Sequence, residues 1–315
     1  MSANIVVVSG PTASGKTVFA TEISLFLKDK FGIESVIINA DSTQLYKDLK
    51  IITAYPSESE LSRVEHRAFG VLDPCDSSSV AKWLEIAEAE IAQAHQDGKI
   101  AIVCGGTCFY IQSLLNGIAK IPDIPEETRK DVLRKFEEIG RDAFFDDLCK
   151  LDEASAKVLH KNDTQRILRA YEVITSTGKS ISTWWTDGKN KSAPEYNVLG
   201  FFILLPEKSA IHEKCRLRIL KMIGDGAIEE VCDFIEKYPS YDGPLKKAIG
   251  YAEISEMLTG GSHKECIDKM YHNTKKYIKR QSTWMRNQFS HAQFLYGFGN
   301  DDGVLGLLKY EMQLI

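Results

Sequence analysis

Ser9 to Phe19, SGPTASGKTVF, is the stretch that decides how the chain is read. From Gly10 to Thr17 it follows the pattern G-x-x-x-x-G-K-T. A loop of this kind, here Gly10, Pro11, Thr12, Ala13, Ser14 and Gly15, wraps backbone N–H groups around an anion. Lys16 then lies over the outer charge, and Thr17 offers a hydroxyl to Mg²⁺. The two glycines permit dihedrals or close approaches that a Cβ would block. The flanks agree with this. Asn4 to Ser9 is a short β-branched run, as in a buried strand, and Lys16 to Lys28 places Val18, Phe19, Ile23, Phe26 and Leu27 at helical spacing. Strand, loop and helix follow in the order the motif needs, with the positive end of the helix facing the anion. A bound diphosphate or polyphosphate is expected.

The buried-strand signature recurs in SVIINAD, ending on Asp41, and in IAIVCGGT, ending on Gly105, Gly106 and Thr107. The expected fold is therefore α/β: a P-loop NTPase-like parallel sheet flanked by helices, with its ligand at the carboxyl ends of the strands. After the helical CFYIQSLLNG, Pro122 and Pro125 interrupt the pattern. It then turns wholly helical through ETRKDVLRKFEEIG, RDAFFDDLCKLD and TQRILRAYEVITSTG. Near Tyr196 the apolar run YNVLGFFILLP resumes the sheet, with helices expected from there onward. This gives a catalytic core over residues 1–118 and 194–315 and an inserted all-helical module over 119–193.

With 315 residues, 43% of them hydrophobic, the chain can bury a substantial core. Its net charge of −5 creates no global attraction for nucleic acid or anionic membrane, so contact with a polyanion must come from local clusters. The seven cysteines form no C-x-x-C pair, which argues against a disulfide framework or zinc knuckle and fits a reducing, cytoplasmic setting. No signal-peptide pattern opens the chain, and VLGFFILLP is too short to span a bilayer.

A P-loop enzyme also needs an acid at the end of a second strand. IAIVCGG ends in glycines, which leaves Asp41. Three readings stay open for it: a metal ligand in a small-molecule kinase, a general base toward an acceptor beside the phosphate donor, or a helix N-cap. Gly105-Gly106-Thr107 reads equally as a tight turn capped by Thr107 or as part of the site. Local positive clusters are present as well. Between Lys269 and Asn300 there is no acidic residue, and KKYIKRQSTWMR gathers Lys275, Lys279 and Arg286 near one helical face, with Tyr277 and Trp284 interleaved. That combination suits an RNA backbone with unstacked bases, or else a solvated helix whose aromatics face the core. In NDTQRILRAYE, Gln165, Arg166 and Arg169 share a face and can fork onto phosphates or pair with Glu172. HEKCRLR follows the returning strand, where a helix can aim an arginine at the phosphate site.

Taken together, GPTASGKT, NADSTQLYK, GGTCFYIQSLLNG, NDTQRILRAYEV and KRQSTWMR resemble, in order and spacing, the tRNA dimethylallyltransferase family of bacterial type. The resemblance covers nearly the whole chain. It implies transfer of a dimethylallyl group from dimethylallyl diphosphate to N6 of adenosine 37, beside the anticodon of tRNA, with diphosphate released; a P-loop kinase is the alternative. By resemblance Lys16, Thr17 with Mg²⁺, and Arg218 meet the diphosphate, and Asp41 accepts the N6 proton. Asp41, Ser42, Thr43, Gln44 and Thr107 lie around the flipped base. Gln165, Arg166 and Arg169 of the module, and Lys279, Arg280, Gln281 and Arg286 of the basic helix, touch the anticodon stem-loop. A monomer without membrane attachment is expected. Ala252, Ile52 and Tyr55 depart from the residues usual in that family.

Overall fold

A computed structural model describes residues 3–188 and 195–311. The chain forms two compact units, Met1–Ser113 with Glu195–Ile315, and Leu114–Pro194. The first boundary lies N-terminal to the expected residue 119. The expected second boundary, at 193/194, lies outside the described residues.

In the first unit the chain begins with β1 (Asn4–Ser9), α1 (Lys16–Phe31) and β2 (Ser35–Asn39), followed by the short α2 (Glu58–Leu61) and β3 (Glu65–Arg67). Next come α3 (Val80–Gln96), β4 (Ile100–Gly105) and α4 (Cys108–Asn116), the last running across the boundary. Six strands build one sheet in the order β3-β2-β4-β1-β5-β6, every adjacent pair parallel, with β5 at Asn197–Leu204 and β6 at Gln293–Leu295. β1 is inside the sheet, pairing Val7 with Val103 of β4 and with Phe201 of β5. A strand buried on both faces must be apolar at successive positions, and Ile5, Val6, Val7 and Val8 are fully buried. On one face Val6, Val8, Ile37 and Ile102 pack under Phe19, Ala20 and Ile23 of α1. α1 runs one turn further than expected and stops at Gly32, whose left-handed φ of 68° ends it.

The second unit holds α5 (Glu126–Leu151), α6 (Glu153–Val158), α7 (Thr164–Thr177) and α8 (Ile181–Gly188) around Val132, Phe144, Leu148, Ile167, Ala170 and Val173. Pro125 starts α5, and Gly140 at φ 76° breaks it where the sequence reading ends one helix and starts the next. After β5 the first unit resumes with α9 (Lys208–Gly224), α10 (Ala227–Lys237), a 3₁₀ turn (Pro244–Lys247), α11 (Tyr251–Leu258), α12 (His263–Gln288) and, beyond β6, α13 (Asp302–Glu311). β3 and β6, each three residues at an edge of the sheet, were not expected from the pattern.

Candidate active site

The loop after β1 takes the cradle shape. Ala13 and Gly15 adopt φ of 64° and 84°, so the chain coils back on itself before α1. A side chain on Gly10 would meet the Ser14 hydroxyl at 2.5 Å and the Leu204 carbonyl at 3.0 Å. Ser14 is fully buried, and its hydroxyl has no hydrogen-bond partner among the described residues. The loop is braced from behind, because the Gly299 N–H donates to the Ser14 carbonyl at 3.0 Å. Burial holds the Lys16 ammonium below the ordinary lysine range against the opposing pull of Asp41, and Arg218 lowers it further. Two positive groups driven into a desolvated corner are poised for an anion.

The loops after β2 and β4 meet this cradle. Asn39 is fully buried; its Oδ1 accepts the Asp41 N–H at 2.8 Å, and its Nδ2 donates to the Asp41 and Ala68 carbonyls. The Trp83 indole, stacked on Tyr110, donates to the Asn39 carbonyl at 2.8 Å. Asp41 is not a helix cap: no helix follows it, and its Oδ1 accepts from the N–H and hydroxyl of Thr43 in a local turn. Thr107 ties the two strand ends together, its N–H donating to the Ala40 carbonyl and its Oγ1 accepting the Ser42 N–H at 3.0 Å. Gly105 is obligatory there, since a Cβ would lie 2.1 Å from the Ala40 carbonyl.

A cavity of about 390 Å³ lies in the first unit and is lined by Thr12, Asp41, Ser42, Arg218, Tyr277 and Arg280, among others. Its lining also includes the apolar side chains Ile52, Ile219, Met222 and Met270. Arg218, from α9, is depressed by burial and donates from Nη1 to the Thr12 hydroxyl at 3.5 Å. Burial and then the Asp41 charge push the Tyr277 phenol above its ordinary range, so it remains a neutral O–H. Cys104 and Cys108 are pushed up to about 12 by burial and remain thiols, unsuited to act as nucleophiles. Among the described residues Asp41 is the carboxylate in the cavity lining.

On α12, Lys279, Arg280 and Arg286 are exposed, and among the described residues none has a carboxylate partner. The Arg280 guanidinium lies 5.6 Å from the Tyr277 ring centre, while Trp284 packs edge-on against Phe289. On α7, Gln165 and Arg166 are exposed; Arg166 pairs with Asp163 at 3.3 Å and Arg169 with Glu172 at 3.2 Å.

Two residues expected at the RNA spend side-chain hydrogen bonds inside the protein. Gln281 is only 5% exposed: its Oε1 accepts the Thr12 N–H at 3.0 Å, and its Nε2 donates to the Gly106 carbonyl at 2.8 Å. Both ends of the amide are committed inside the protein. Gln44 likewise donates its amide to the carbonyls of Thr53 and Ala54, bracing its own loop. The sequence reading also missed three supports of the site. These are Asn39, Trp83, and Glu230 of α10, whose carboxylate accepts the N–H groups of Ile51 and Ile52. For Asn39 a signal existed, a polar residue closing an apolar strand two places before the acid.

Comparisons with known proteins agree with this geometry. The sequence profile described as IPP transferase matches residues 44–288. A tRNA dimethylallyltransferase of Rhodospirillum rubrum is 35% identical over 91% of this chain and 86% of its own length. One from Ehrlichia chaffeensis is 36% identical over 97% of both. Among solved structures, a full-length tRNA isopentenylpyrophosphate transferase from Bacillus halodurans superposes with a TM-score of 0.69 at 26% identity, covering 100% of this chain and 98% of that one. A eukaryotic dimethylallyltransferase acting on tRNA gives 0.79 at 26% identity, over 94% of this chain and 74% of that one. With phosphate loop, strand-end acid and basic helix in one framework, the chain belongs to the IPP transferase family, that of the tRNA dimethylallyltransferases.

Proposed function

We propose that this protein transfers a dimethylallyl group from dimethylallyl diphosphate to N6 of the adenosine beside the anticodon of tRNA. The observation that carries the reading is that Thr12 of the cradle, Arg218 and Asp41 line a single cavity. An anion grip and a base therefore face one space. The relatives compared above do not favour the kinase alternative.

The loop N–H groups, Lys16 and Arg218 hold the diphosphate and take up its growing charge as the allylic C–O bond breaks, its electron pair leaving on the diphosphate oxygen. The adenine N6 attacks the allylic carbon from the Asp41 side, and the Asp41 carboxylate accepts the N6 proton. Ser42 and Thr43 lie beside Asp41 to meet the base, which must leave its stack to enter. The apolar side chains in the cavity lining shield the five-carbon chain from water.

Mg²⁺ fits these residues. The Thr17 hydroxyl makes no hydrogen bond among the described residues and is a hard oxygen donor at the start of α1. Among the described residues no group of three His, Cys, Asp or Glu forms a protein cage, and Mg²⁺ characteristically takes one or two protein oxygens and completes its shell with phosphate and water. Bound at Thr17, it would supply charge neutralisation to the diphosphate.

Lys279, Arg280 and Arg286 would meet RNA phosphates from α12, and Gln165, Arg166 and Arg169 from the helical unit, where the pairing of the two arginines with acids must open or be shared. A cytoplasmic monomer is the expected working form. No helix among the described residues is long and apolar enough to cross a membrane.

The test is incubation with dimethylallyl diphosphate, Mg²⁺ and unmodified tRNA. A gain of one C5H8 unit on the RNA, mapped by mass spectrometry to the adenosine beside the anticodon, is expected. Unchanged RNA would overturn the reading.

A further inference from the structure

α12 presents two faces with different fates. Thr274, Ile278, Gln281 and Met285 are buried at helical spacing, while Lys279, Arg280 and Arg286 are exposed on the same turns. Within the buried stripe, Thr274 donates its hydroxyl to its own helix, at the Met270 carbonyl. Gln281 alone sends both ends of its side chain to other elements: to the Thr12 N–H of the phosphate loop and to the Gly106 carbonyl between β4 and α4. The fit leaves no slack, since a Cβ on Gly106 would lie 2.6 Å from the Gln281 Nε2 and 3.6 Å from the Lys16 Nζ. Beside it, Ile278 packs with Ala13 of the loop and with Ile211 and Cys215 of α9.

We propose that Gln281 is a positioning residue that couples the two substrates: it fastens the helix bearing the RNA-facing cations to the backbone of the diphosphate cradle, so each substrate tightens the binding of the other. This rests on the function proposed above. A helix is stiff over a turn, so phosphates pulling on Lys279 and Arg280 act on Gln281, which follows them directly in the helix. The Thr12 N–H and Gly106 carbonyl move with it. In the other direction, a filled cradle fixes the loop and with it the orientation of α12. Such coupling is reciprocal by thermodynamic necessity.

The experiment uses the full chain, inorganic pyrophosphate with Mg²⁺, and an unmodified anticodon stem-loop RNA, with affinities measured by titration calorimetry. In the wild-type protein, saturating RNA is expected to strengthen pyrophosphate binding by a factor on the order of 10, and pyrophosphate to strengthen RNA binding equally. Gln281→Met keeps the length of the side chain and loses both hydrogen bonds; its factor should fall at least about threefold while RNA affinity measured alone stays near normal. Gln281→Glu keeps the acceptor for Thr12 and loses only the donor to Gly106, so its factor should lie between those of the wild-type protein and Gln281→Met. A wild-type factor below about two, or a fall smaller than threefold, overturns the inference. Prenyl transfer by the wild-type protein is recorded in the same samples. Transfer without coupling removes only this inference, whereas absence of transfer removes the functional reading itself.

Discussion

Asn39 grips the peptide of Asp41 from both sides, accepting its N–H at 2.8 Å and donating to its carbonyl at 3.0 Å. The acid is therefore aimed by backbone contacts, and among the described residues only its own turn with Thr43 hydrogen-bonds the side chain. Asn39→Ala should leave the buried Ala68 carbonyl and the Asp41 peptide without partners, at a cost of about 1–3 kcal/mol. It should also slow single-turnover transfer more than it weakens RNA binding. Urea denaturation and rapid-quench measurements check the two effects, and an unchanged transfer rate would show that Asp41 is held by something else.

Asp41→Asn preserves the acceptor for Thr43 and the size of the side chain but cannot take a proton. A fall in the chemical step of roughly 10²–10⁴-fold is expected, with RNA affinity close to normal. A large loss of RNA affinity combined with a normal single-turnover rate would assign Asp41 to binding.

Lys16 carries a stability consequence with a definite sign. Its ammonium is depressed by burial in the folded protein. Between that lowered value and the ordinary value of about 10.4, the unfolded chain binds the extra proton, so stability should rise as pH increases through the window. Lys16→Met removes the buried charge: turnover is lost, the free protein melts a few degrees higher at neutral pH, and the alkaline gain in stability flattens. Pyrophosphate should raise the melting temperature of the wild-type protein by mass action and that of Lys16→Met far less. Scanning calorimetry at neutral and alkaline pH, with and without pyrophosphate, decides this.

Replacing Lys279 and Arg280 together by Ala should weaken RNA binding and lower the slope of log affinity against log salt by roughly 1–2. Pyrophosphate binding without RNA should change less, Arg280 being the one of the two that also lines the cavity. Filter-binding titrations across a salt series read the slope, and an unchanged value would mean that these cations point away from RNA.

The central strands were legible because a parallel strand covered on both faces must be a continuous apolar run, as β1, β2 and β4 are. β3 and β6 were not: three residues carry no period, and Glu65, His66 and Arg67 become a strand only where Val36–Ile38 supply the pairing. Gly140 was readable as a break because the apolar pattern restarts after it. In the site, the phosphate loop and Asp41 were visible as residue types at fixed places beside strands. Gln281 was not. In sequence it sits between Arg280 and Trp284 in a basic run, and only the packing of α12 against a loop 269 residues away separates it from its neighbours. Side chains whose role depends on what lies opposite them in space leave no local mark.

The bond from the Gly299 N–H to the Ser14 carbonyl also sets an order of events at synthesis. The phosphate loop is translated long before the segment at Gly299 that braces it from behind. A nascent chain can finish α1 and the early strands long before it owns a working cradle. A chain cut short of residue 299 should therefore bind pyrophosphate more weakly, its loop lacking this brace.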